Sequence, residues 1–302
     1  MVLSRAMEHT SDTLRRFLFE HAPIRGELVQ LETSWQTILE RHDYPPLLCD
    51  LLGELAAAAV LLAATLKLQG ALVLQIQGKG ALRLLVVECS GDLQLRATAK
   101  WDGELRAGTL RELVGDGHFV ITLDPRDGSQ SYQGIVGLEG DSVAEILQDY
   151  MLRSEQLDTR LWLAADGKCA AGMLLQVLPP QSGQAAHPDT DAWPRAIQLA
   201  DTLKREELLQ LPAARLIRRL YHEEDLRLFE AQPVAFHCGC SRQKVGNMLQ
   251  MLGRAEIDSI LQEQGHIEIH CEFCNQRYEF DSVDAAQLFA ETMPAAGSTT
   301  RH

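Results

Sequence analysis

His237-Cys-Gly-Cys240 and, thirty residues further on, Cys271-Glu-Phe-Cys274 decide how the C-terminal end of this 302-residue chain folds. Two close thiol pairs at that separation suit a tetrahedral zinc site, because Zn²⁺ prefers four thiolate or imidazole ligands. The first pair is unusual. Structural zinc sites mostly follow a C-x₂₋₄-C spacing, whereas Gly239 alone separates Cys238 from Cys240 and crowds both sulfurs into one tight turn. Such a pair can bind metal when reduced or close on itself when oxidised. His237 and His270 each adjoin a cysteine and could replace one as ligand. An inert structural zinc ribbon is the plainer reading, and spacing alone leaves it open.

A module of this size gains only roughly 3–5 kcal/mol from its apolar core. Structural zinc contributes about 10–16 kcal/mol in small peptides near neutral pH, so loss of the metal is expected to unfold the module. Metal binding also keeps cysteines as thiolates, the form that reacts with oxidants. Around the quartet, the pattern predicts helices over residues 242–252 and 256–263. A hairpin over 266–271 and 277–280 follows, with the second cysteine pair at its tip. Asn275 tolerates the left-handed backbone such a knuckle needs. A last helix is expected from Asp281 or Ser282, and residues 295–302 read as a loose tail.

Upstream lies a boundary, Pro179-Pro-Gln-Ser-Gly-Gln-Ala-Ala-His-Pro188, rich in breakers and without periodicity. Between it and the cysteines runs a charged, amphipathic stretch. Ala213, Leu216, Ile217, Leu220 and Tyr221 share one helical face, with Arg215, Arg218, Arg219 and His222 elsewhere. Pro212 suits the first turn of that helix. Helices this short need a partner surface, and the zinc module is the expected one.

Residues 1–180 form the large first domain. A helix is expected over 12–21, a strand over 24–31, then two helical segments, the second holding the apolar run Leu55 to Leu66. That run is too short to span a bilayer and reads as a buried core helix. Leu72, Leu74 and Ile76, then Leu93, Leu95, Ala97, Ala99 and Trp101, then Phe119, Ile121 and Leu123 alternate with polar positions as half-buried strands do. Ser90-Gly-Asp92 and Asp166-Gly167 mark turns between antiparallel neighbours. A helix with a capping box from Ser142 to Glu145 follows Tyr132-Gln-Gly-Ile-Val-Gly137. Grouped helices and consecutive strands predict an α+β fold. The expected organisation is an N-terminal domain of antiparallel sheet with helices (1–180), a charged helical linker (181–232) and a small C-terminal zinc-binding domain (233–302).

Composition narrows function. Apolar residues make up 46% and charged residues 23%, ordinary for a globular protein. A formal net charge of -14 argues against general nucleic-acid binding and against adhesion to anionic membranes. Residues 1–10 contain no apolar signal core, and seven cysteines without an export signal point to a reducing cytoplasm. Cys49, Cys89 and Cys169 fall in helix or strand patterns and read as buried free thiols. There is no Walker A run and no G-x-S-x-G elbow, and Gly134, Gly137 and Gly140 do not make a dinucleotide turn. Nothing in the first domain announces an enzyme. Two rival readings stay open: a zinc-ribbon regulator acting on nucleic acid, and a thiol–disulfide oxidoreductase using Cys271 and Cys274.

Arg25-Gly-Glu-Leu28, Ala64-Thr-Leu-Lys67, Tyr132-Gln-Gly-Ile-Val-Gly-Leu-Glu-Gly-Asp141, Arg153-Ser-Glu-Gln156, Gly172-Met-Leu-Leu-Gln176, Arg219-Leu-Tyr-His-Glu-Glu224 and the quartet form a set spread over nearly the whole chain. In these stretches the chain resembles the heat-shock protein 33 family, the redox-regulated holdase chaperones of bacteria. The resemblance implies one zinc per chain, held by Cys238, Cys240, Cys271 and Cys274 in a reduced, inactive state. Peroxide with heat, or hypochlorous acid, would oxidise Cys271 and Cys274 first, release zinc and unfold the C-terminal module, after which Cys238 and Cys240 would pair. The linker would then be freed, and a dimer would bind unfolding clients without ATP. No role is implied for Cys49, Cys89 or Cys169.

Overall fold

The computed structural model describes residues 12–66, 69–179, 189 and 191–290. The N-terminal segment 1–10, most of the breaker-rich boundary (180–188) and the tail 295–302 therefore lie outside the described residues. The chain divides into two compact units, residues 1–237 and 238–302.

The first unit opens with an antiparallel pair, β1 (Thr13–Phe19) and β2 (Ile24–Leu31). Two helices follow, α1 (Thr33–Leu39) and the 21-residue α2 (Pro46–Leu66). Strands β3 (Gly70–Gly78), β4 (Leu82–Ser90) and β5 (Gln94–Trp101) come next, then α3 (Leu110–Val114), β6 (Gly117–Pro125) and β7 (Tyr132–Val136). Helix α4 (Val143–Arg153) precedes the hairpin β8 (Thr159–Ala165) and β9 (Ala170–Val177). Three short helices, α5 (Ala192–Ala200), α6 (Arg205–Gln210) and α7 (Ala213–Leu220), lead to the strand fragments β10 (Leu226–Leu228), β11 (Gln232–Pro233) and β12 (Ala235–Phe236).

These strands make two six-stranded sheets. One runs β10-β1-β2-β9-β8, with β11 also on β1; the other runs β12-β5-β4-β3-β6-β7. Neighbours are antiparallel except β12, which lies parallel to β5. Together with the helices they give the α+β class that the sequence predicts. The alternating runs become β3, β5 and β6 as expected. Ser142 caps α4 by accepting from the Glu145 amide, 3.3 Å.

Residues 12–21 are not a helix. They form β1, paired with β2 on one edge and with β10 and β11 on the other. Leu14 and Phe17, three apart, imitate a helical stripe, yet they are buried on opposite faces of the sheet: Leu14 belongs to the core around α2, Phe17 to a second core. A strand covered on both faces loses the alternation that would betray it. Gly26 on β2 admits the Phe17 ring where a Cβ would stand, so the two strands close only around glycine.

The core helix is longer than its apolar run suggests. From Pro46 it has the length and composition to cross a membrane, but 72% of its apolar window is buried inside the protein, so burial and not shortness makes it a core element. The stripe on α7 finds a different cover from the one expected. Leu216, Ile217, Leu220 and Tyr221 pack with Ala192, Ala196, Ala200 and Leu208 against Phe17, Phe19, Ile24, Leu28, Met173 and Leu175. The first unit's own β1-β2-β9 face covers α5, α6 and α7. Its side chains sit in runs that read as continuously apolar, which hid a second buried face.

The second unit contains α8 (Arg242–Leu252), α9 (Arg254–Gln264), the hairpin β13 (Ile267–His270) and β14 (Arg277–Phe280), and α10 (Ser282–Ala290). Its fully enclosed core is Leu249, Ile257, Ile267, Phe280 and Ala285.

Candidate metal centre

Two local structures bring the four cysteines together. Cys238 and Cys240 lie just before α8, whose N-cap Ser241 accepts from the Lys244 amide at 3.2 Å. The Lys244 ammonium folds back to donate to the Gly239 carbonyl at 2.7 Å and steadies the tight turn. Cys271 and Cys274 occupy the knuckle between β13 and β14. The Cys271 amide donates to the Gln276 carbonyl (3.0 Å) and the Asn275 amide to the Cys271 carbonyl (2.8 Å). Asn275 has φ of 55°, the left-handed conformation its position predicts.

All four Sγ atoms lie within 4.8 Å of one another. Cys238 and Cys271 approach to 3.6 Å, Cys240 and Cys274 to 3.3 Å. A tetrahedral ion with metal–sulfur bonds of about 2.3 Å separates its ligand sulfurs by about 3.8 Å, so the cluster could hold such an ion and its donor set is consistent with zinc. Neither histidine belongs to it. Both ring nitrogens of His270 are engaged, by Glu268 Oε1 at 2.8 Å and Asn275 Oδ1 at 3.2 Å. His237 ends the first unit, its amide donating to the Leu95 carbonyl.

The sulfurs differ in their surroundings. Burial raises the thiol of Cys238 and, more strongly, that of Cys274. Burial acts the same way on Cys240, but hydrogen bonds from Tyr278 and the neighbouring thiols outweigh it and bring that thiol down to about 7. The Tyr278 hydroxyl donates to Cys240 Sγ at 3.1 Å. Cysteine spacing gives no hint of Tyr278, since a tyrosine in a short strand reads as a cross-strand partner, here of Ile269.

The remaining thiols have no part in this cluster. Cys49 and Cys89 are buried, Cys169 half-buried. Burial, reinforced by Asp50, raises Cys49; burial with Glu88 beside it pushes Cys89 up to about 12; burial and Asp166 raise Cys169. All three are poor nucleophiles. The Cys271–Cys274 pair also sits in a hairpin turn, not at the helix N-terminus where an oxidoreductase lowers its attacking thiol.

Comparison with known proteins agrees with this architecture. Residues 12–281 match the family model described as Hsp33 protein. The chain belongs to the Hsp33 family. The 33 kDa chaperonin of Methylobacillus flagellatus is 61% identical, over 97% of this chain and 99% of that relative. The 33 kDa chaperonin of Chromobacterium violaceum is 54% identical, over 96% and 98%. The crystal structure of the 33 kDa chaperonin from Thermotoga maritima superposes with a TM-score of 0.79 at 20% identity, covering 93% of this chain and 98% of that one, which shows a shared fold. Membership in Hsp33 supports a chaperone function.

Proposed function

We propose that this chain is a redox-regulated, ATP-independent holdase chaperone, inactive with zinc on Cys238, Cys240, Cys271 and Cys274 and activated when oxidation removes those ligands. One observation carries the reading: four thiols converge within 4.8 Å in a unit whose enclosed core, among the described residues, is five side chains. When bound, zinc supplies a charge that keeps four sulfurs ionised and in register, and it replaces the apolar core as the main source of cohesion. Oxidation of Cys271 with Cys274, and then of Cys238 with Cys240, takes away that cohesion.

The signal reaches the linker along the chain, because β12 ends at Phe236, two residues before Cys238. Residues 181–232 then act as a separable linker and 233–302 as the switch. Release of α5–α7 would uncover two apolar surfaces together, the helical stripe and the Phe17, Phe19, Ile24, Leu28, Met173 and Leu175 face. An exposed patch of that kind is what an unfolding client binds. The reading includes a cytoplasmic, stress-induced role, a homodimer in the oxidised state, clients as the partners, and no chemistry on a substrate. A reducing cytoplasm keeps the thiols loaded with metal until oxidant arrives.

The test is to follow zinc release, thiol loss and suppression of client aggregation together during peroxide treatment of the full-length protein. Chaperone activity should rise in step with zinc loss. Zinc lost without any gain in aggregation suppression would sever the sensor from the activity.

A further inference from the structure

The quartet has a neighbour whose role neither the cysteine spacing nor the proposed switch assigns. Tyr278 stands on β14, paired across the hairpin with Ile269, and its ring is half-buried. Its hydroxyl crosses from the hairpin that carries Cys271 and Cys274 to the sulfur of Cys240, 38 residues earlier in sequence, with O···S at 3.1 Å. Cys240 Sγ also belongs to the shorter of the two close sulfur pairs, 3.3 Å from Cys274. The hydroxyl therefore joins the two halves of the centre by a side-chain bond independent of the metal.

An O–H···S bond acts on a thiolate in two ways. It spreads the sulfur's negative charge onto a fixed donor, so the sulfur holds its place on a cation without repelling its three neighbours. On a metal that already keeps all four sulfurs ionised, it also ties up a lone pair and so lowers the intrinsic nucleophilicity of Cys240 toward an electrophilic oxygen. Donors of this outer kind orient ligands, and removing one typically weakens metal binding about 10–100-fold.

We propose that Tyr278 is a positioning residue of the thiol centre: while the module is folded and loaded, its hydroxyl holds Cys240 in place and shields its sulfur, so that oxidation starts at Cys271 and Cys274 and the Cys238–Cys240 pair follows. This rests on the metal-holding reading of the quartet. In each oxidation one hydrogen peroxide takes two electrons from a thiolate pair and two protons from solvent, forming one S–S bond and two waters. Tyr278 changes no atom in that balance. It decides which pair reacts second.

The experiment uses full-length, reduced, zinc-loaded protein and Tyr278→Phe, which keeps the ring and the strand pairing. Zinc transfer to a colorimetric chelator is timed, and thiols are trapped by alkylation and mapped by peptide mass spectrometry at intervals after peroxide. Tyr278→Phe should release zinc about tenfold faster or more, and the lag between loss of the two thiol pairs should shrink. Placing 3-fluorotyrosine at 278, assayed at a pH where its hydroxyl stays protonated, gives a stronger donor of nearly the same shape and should slow zinc release and lengthen the lag. A purely structural ring would not respond to fluorination. Unchanged zinc release and order of thiol loss in both variants would overturn the inference. Wild-type protein that carries no zinc would instead overturn the metal reading itself, and this inference with it.

Discussion

In the first unit a 21-residue helix is enclosed in a core that includes Trp35, Phe119 and Leu174, and a second apolar core lies under the linker helices. Among the described residues of the second unit, five enclosed side chains serve three helices and a hairpin. Buried apolar area stabilises the first at roughly 25 cal/mol per Å², while the second is too small for that mechanism alone. On the proposed function, the difference places the switch in the second unit: oxidation of four sulfurs would dismantle it and leave the first unit intact as a scaffold that presents apolar surface.

The largest expected effect comes from stripping the metal. Treating reduced full-length protein with a strong chelator should abolish hydrogen-exchange protection in α8, α9 and α10 while β3, β4 and α2 keep theirs. A structural zinc would contribute about 10–16 kcal/mol, more than a core of this size supplies. Retained protection of α8–α10 after chelation would erase the contrast between the units.

A smaller change probes the seam within the first unit. Leu216 on α7 is fully buried against the sheet. Leu216→Ala should weaken linker docking by about 2–5 kcal/mol. The reduced, zinc-loaded variant should be cut by protease within 191–233 and should suppress aggregation without oxidant. Continued resistance would mean that something other than this stripe holds the linker.

The sequence was most readable where one face of an element meets water. Leu72, Leu74 and Ile76 alternate because β3 is covered on one side, and the knuckle was legible because Asn275 and the cysteine spacing are local features. The misreadings share a cause. Leu14 and Phe17 on β1, and the run from Ala170 to Gln176 on β9, are buried on both faces, so alternation vanished and with it the sign that a second layer covers the sheet. That layer is the linker, whose amphipathic pattern announced a need for cover but could not say which surface supplies it. Tyr278 was hidden for another reason: its partner Cys240 is brought near only by the fold.

The subtlest prediction concerns how firmly the linker is held. Glu54 on α2 is mostly buried and lines a cavity of about 600 Å³ with Arg160, Asp201, Lys204 and Arg205. Burial, then the nearby charge of Asp50, pushes its carboxyl up to about 7 against the pull of Arg205. Arg205 is itself shared, donating to Asp50 at 3.2 Å and to the Ala165 carbonyl. With linker helices α5 and α6 forming part of the cavity wall, the docked state binds a proton that a released, solvated Glu54 would give up near its ordinary value of 4.5. The stabilisation is complete below that value and is lost as pH rises through about 7. Docking should weaken by about 1–3 kcal/mol between pH 5 and pH 8, read as faster amide exchange in α6 of the reduced, zinc-loaded protein. Glu27, fully buried on β2 and raised to about 6 chiefly by burial, adds a trend of the same sign to the whole unit. The difference between wild type and Glu54→Gln therefore isolates the linker: the variant should lose the α6-specific dependence and keep the global one. Equal pH slopes for α6 in the two proteins would show that Glu54 does not tune the linker's grip.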